Sequence, residues 1–193
     1  MVIPTRDDRH QAQETLSYIR QTMETASTYT AVSGWGLVAV GGIGVVSAWL
    51  ARASGQPAPL SVWVPAALIS LAAAGTANAI KAKQIDVPLW SGSFRKVVWG
   101  LAPALIAGAF LTWALTRQGA TAIVPGMWLS VYGAGVAAGG MFSVRALRWM
   151  GVFMLALGGL ALVQPQYGLL LLAAGFGGGH LVFGSYIVHR HGG

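Results

Sequence analysis

Six apolar stretches of about twenty residues, separated by short polar segments, constrain this chain more than any other feature. They fall at 32–51, 61–80, 97–116, 122–143, 147–164 and 167–188. A helix needs about 20 mostly apolar residues to cross the hydrocarbon core of a bilayer. A helix also satisfies its own backbone there, which irregular chain cannot do. No Lys, Arg, Asp or Glu lies near the middle of any stretch, as the cost of an intramembrane charge requires. Composition agrees: of 193 residues, 55% are apolar and 9% are charged, more apolar surface than a soluble domain of this size can bury. Disorder is excluded for the opposite reason, since disordered chains are charge-rich and apolar-poor. The expected fold is all-α, a polytopic membrane bundle of six transmembrane helices in three hairpins, preceded by an amphipathic cytoplasmic helix. The corresponding domains are 1–30 and 31–190.

Charge sets the expected orientation. With the N-terminus in the cytoplasm, Arg6, Arg9, Arg20, Lys81, Lys83, Arg95, Lys96, Arg145, Arg148 and Arg190 lie inside, and only Arg52 and Arg117 lie outside. This is the positive-inside distribution, with both termini cytoplasmic. Trp49, Trp63, Trp113 and Trp128 then mark the outer interface, and Trp35, Trp90, Trp99 and Trp149 the inner one. The net charge of +7 therefore reads as loops facing anionic lipid rather than as a nucleic-acid surface. The chain has no cysteine, hence no disulfide framework, iron–sulfur ligands or thiolate chemistry. The polar first 29 residues do not read as a cleavable leader, and none is expected here.

The second helix of each expected hairpin shares a pattern: Pro65 with Gly75, Pro125 with Gly135, and Pro165 with Gly175. Each Gly opens a small-xxx-small step, to Ala79, Gly139 and Gly179 respectively. Such steps let helix backbones approach closely in lipid, where no hydrophobic drive holds helices together. The reading predicts an internal three-hairpin repeat, with its even helices packed about a common axis through these six residues.

Before the first span, residues 8–28 read as a helix with Ala12, Leu16, Ile19, Met23 and Ala26 on one face. The alternating four- and three-residue spacing is that of an a/d seam, and Asp7 or Asp8 would cap its start. The seam suits either the membrane surface or a protein partner docking on Leu16, Ile19 and Met23.

Chemistry is sparse. His180 is the only histidine inside a span, following Gly175-Phe-Gly-Gly-Gly179, and reads as a packing histidine, a proton relay, or a ligand to haem or chlorin. Asn78, Tyr132 and His180 are the polar residues at depth that would line a cavity if they converged. No HExxH, paired intramembrane carboxylates or Ser-His-Asp set points to an enzyme. No span contains a lysine for a Schiff base.

The stretch Met154-Leu-Ala-Leu-Gly-Gly-Leu-Ala-Leu-Val-Gln-Pro165, with Tyr167-Gly-Leu-Leu-Leu-Leu-Ala-Ala-Gly175, resembles hairpins of small bacterial six-helix membrane proteins such as the acid-resistance membrane protein family. Tyr18–Met23 and Ala31–Gly36 resemble the start of an uncharacterised bacterial membrane protein family. The resemblance implies a bacterial inner-membrane location and supplies no activity. The expected function is a non-enzymatic accessory, scaffold or interaction subunit with no cofactor, whose partners are the lipid bilayer and another protein or further copies of itself. The alternatives are a small transporter or channel built around Asn78, Tyr132 and His180, and a pigment- or cofactor-binding subunit using His180.

Overall fold

The computed structural model describes residues 10, 11, 13–19, 23, 29–55 and 59–191. Six helices in it are long and apolar enough to cross a membrane: α1 (Gly34–Ala53), α2 (Leu60–Gln84), α3 (Gly92–Arg117), α4 (Thr121–Gly140), α5 (Arg145–Val163) and α6 (Pro165–Arg190). Each lies within a few residues of an expected span. α3 starts earlier than its apolar run because the Ser91 hydroxyl accepts a hydrogen bond from the Phe94 amide and caps the helix. At its far end Gly119 takes φ +72°, and the Ala120 amide donates back to the Leu115 carbonyl. That left-handed closure favours glycine.

The chain neighbours α1–α2, α3–α4 and α5–α6 pack as pairs, and α1 also packs on α6 and α4 on α5. The even helices do not gather round one axis. α2 packs chiefly on α1, and α3 chiefly on α4, so only 6% of the apolar window of each is buried within the chain, against 50% for α4. The inner body is therefore α1, α6, α5 and α4, with α2 and α3 applied to its outside.

Glycines seven residues apart hold the inner body together. On α1 and α6, a Cβ added to Gly34 would lie 2.8 Å from the Gly184 carbonyl oxygen, and one on Gly41 would lie 2.9 Å from that of Gly177. On α4, the same test puts a Gly126 Cβ 2.8 Å from the Leu162 amide, a Gly133 Cβ 2.7 Å from the Leu155 amide and a Gly140 Cβ 2.6 Å from the Arg148 amide. Gly151 and Gly158 of α5 reciprocate against α4, at Ala137 and Ser130. A seven-residue repeat keeps one face of a helix against a slightly crossed neighbour, and lack of Cβ lets the two backbones touch.

The six expected packing residues divide. Gly135 meets Ala104, and Gly139 meets the Val97 carbonyl, both across the α3–α4 contact. Gly175 abuts the Leu129 side chain, and Gly179 makes ordinary contact with Phe153. Gly75 is corrected: it faces open space because α2 turns a different side to α1, and Ala79 on the same helix is only partly buried. The repeated prolines also differ in setting. Pro125 and Pro165 stand in first turns, where a missing amide costs nothing, whereas Pro65 lies inside α2.

Candidate functional site

Two polar constellations interrupt the apolar interior. In the first, Tyr132 of α4 and His180 of α6 meet, with the phenol oxygen 3.0 Å from Nε2. α6 reaches this contact through a change of winding. It runs as an α-helix over Gly168–Leu172, as a π-helix over Ala173–Gly179, and as an α-helix again from His180. The π segment is Ala-Ala-Gly-Phe-Gly-Gly-Gly, nearly devoid of side chains that brace a regular turn, and such wider turns recur at functional positions. Phe176 stacks on the His180 ring at 5.9 Å and 16° and packs against Tyr132 at 4.8 Å. His180 is fully buried. Its Nδ1 makes no hydrogen bond, although the carbonyls of Phe176 and Gly175 lie beside the ring.

Chemically, the pair can share one hydrogen bond whose donor depends on the histidine tautomer. Nε2, the nitrogen a haem or chlorin would take, is engaged by Tyr132. Gly177, in the glycine run before His180, lies against Val45 of α1, whereas Gly178 faces open space.

Asn78 does not join this pair. It belongs to the second constellation, at the basic end of the bundle, where the chain enters α1. The Ser33 amide donates to Asn78 Oδ1 at 2.8 Å, and Lys81 Nζ donates to the Val32 carbonyl at 2.9 Å. Ser33 Oγ accepts from the Gly36 amide and caps α1. Four residues earlier, the Tyr29 amide donates to the Phe142 carbonyl at 2.8 Å, and Ser143 Oγ donates to the Tyr29 carbonyl at 2.7 Å. Residues 29–33 thus form a strap fastened to α2 and to the α4–α5 loop. The Tyr29 ring is 1% exposed and packs on Phe94 at 5.0 Å. Its hydroxyl has no hydrogen-bond partner, and burial raises its pKa above the usual tyrosine value.

Sequence reasoning missed the strap. Tyr29 looked like the tail of an N-terminal segment, and Lys81 like a loop cation. In the structure Lys81 is 5% exposed within α2. The one available signal was Asn78 three residues before Lys81, a spacing that places both on one helical face.

The N-terminal segment is helical at every described position from 10 to 23. Leu16, Ile19 and Met23 are 65%, 47% and 68% exposed, so the expected seam is open along its described length. Ala12, Ala26, Asp7 and Asp8 lie outside the described residues. Among those described, no three His, Cys, Asp or Glu side chains converge as metal ligands would.

Compared with protein-family models, with curated proteins and with solved structures, the chain matches none.

Proposed function

We propose that the chain is a multi-pass protein of a bacterial inner membrane, with both termini cytoplasmic, and that it serves as a non-enzymatic accessory or scaffold subunit. One observation carries this reading: at the described helical positions before the bundle, Leu16, Ile19 and Met23 are all exposed. The strap at 29–33 is itself fastened by four hydrogen bonds to other elements. Apolar anchors at i, i+3 and i+7 of a helix are what a partner's groove recognises. The interior supports the same reading, because backbone-to-backbone glycine contacts fill the space between the inner helices. The transport alternative loses one of its three residues, since Asn78 is occupied with Ser33. The pigment alternative meets the Tyr132 bond and the Phe176 stack at His180.

The test is photocrosslinking in native membranes, with a photoreactive residue placed singly at Leu16, Ile19, Met23 or, on the opposite face, Glu14. The reading expects one discrete heteroprotein adduct from the first three positions and none from Glu14. Adducts only with lipid would make the segment a surface helix, and adducts only of twice the chain mass would make it a homo-oligomer contact. Either result overturns the proposal.

A further inference from the structure

We propose that residues 29–33 form a releasable latch at the basic end of the bundle, and that the Tyr29 hydroxyl sets how readily it lifts. The strap joins elements that lean on different parts of the inner body, since α2 packs chiefly on α1 and α3 chiefly on α4. Through Ser33 and Val32 it bonds to Asn78 and Lys81 of α2. Through Tyr29 it bonds to Phe142 and Ser143 of the α4–α5 loop, and the Tyr29 ring lies 5.0 Å from that of Phe94 on α3. One short segment thus links α2, α3 and the loop, and lifting it unfastens all three at that end.

Two opposing effects set the balance between the seated and the lifted strap. The Tyr29 ring is 1% exposed and packs with Ala82, Val144 and Ile187, and burial of an aromatic ring is the main hold. The hydroxyl on the same ring opposes it. It is buried without a hydrogen-bond partner, a cost that disappears once the side chain reaches water. The four hydrogen bonds of the strap contribute modestly, because water replaces each of them on release. A phenylalanine would fill the seat without the penalty, so the chain carries a residue that loosens its own latch. Lifting also reaches the interior. Leu37, Leu147 and Phe183 pack against the Tyr29 cluster and against Val136, Met150 and Met154, on which Tyr132 also packs.

The sequence has no cysteine, so single cysteines report accessibility cleanly. Val32→Cys probes the strap and Val124→Cys the far end of α4, at valines that are 6% and 4% exposed. The full chain in lipid nanodiscs is labelled with a charged maleimide, at reagent levels where labelling follows the opening equilibrium. The cysteine at 32 should react at least about tenfold faster than the one at 124, because the strap opens locally, and Ala31→Cys should follow it. Adding Tyr29→Phe should slow labelling at 32 by about three- to tenfold. A site at 32 no faster than the site at 124 would mean that the strap opens only with the whole bundle. An unchanged or higher rate in Tyr29→Phe would mean that the hydroxyl does not set the lifting. Either result overturns the proposal.

Discussion

Gly151 and Gly75 offer a controlled comparison, because both are helical glycines in apolar helices and only one touches a neighbouring backbone. An Ala at Gly151 would set its Cβ hard against the Ala137 amide and 2.6 Å from the Gly133 carbonyl oxygen, where ordinary contact begins at 3.4 Å, so α4 and α5 must part by more than about 0.8 Å. The atoms opposing it are backbone, which cannot rotate away. Forcing an extra methyl into a packed contact costs about 1–3 kcal/mol. Replacing Gly by Ala within a helix returns roughly 0.5–1 kcal/mol of backbone entropy at either position. Gly75→Ala meets open space and should therefore be neutral or stabilising, while Gly151→Ala should be less stable than Gly75→Ala by the full packing cost of about 1–3 kcal/mol. The assay is denaturant titration of the full chain in mixed micelles, followed by circular dichroism. Equal stability of the two variants would refute the claim that seven-residue glycine contacts hold the inner body together.

Tyr132→Phe should cost about 1–3 kcal/mol in the same titration, because it leaves a buried ring nitrogen of His180 unpaired; Tyr132→Phe with His180→Leu should recover much of that loss. Ser33→Ala removes the cap of α1 and should cost about 1 kcal/mol, with faster amide exchange confined to the first turn near Gly36. Tyr29→Phe should leave stability at neutral pH unchanged or slightly higher, since the hydroxyl it removes is buried without a partner. The raised pKa of Tyr29 means the folded state favours the neutral phenol, so stability should fall as pH rises above about 10. The variant should lack that part of the decline, as alkaline unfolding curves of the two proteins would show.

The six long helices were legible because span length is written directly as runs of apolar residues, and charge at their ends marks where they stop. Partner choice between helices was less legible. The small-xxx-small steps drew attention to the even helices, and Gly135, Gly139 and Gly175 do make close approaches, yet Gly75 does not. The more regular signal was the seven-residue series Gly126, Gly133 and Gly140, answered by Gly151 and Gly158. It went unread because a glycine repeat names an interface only once the opposing helix is known. The Tyr132–His180 contact had the same difficulty: both residues stood out as polar at depth, but their meeting depends on the π-helical winding of Ala173–Gly179. The strap from Tyr29 to Ser33 is held through its own backbone groups, which bond the side chains of Asn78, Lys81 and Ser143 and the Phe142 carbonyl, so the strap's own side chains carry no signature of it.

The most direct test of the scaffold reading is the native mass of the complex extracted gently from its own membrane, compared between the wild type and L16S/I19S/M23S. The account predicts that the wild type carries at least one unrelated subunit in fixed proportion, and that the triple variant keeps its fold and loses that subunit. A wild-type mass accounted for by copies of this chain and lipid alone would contradict it.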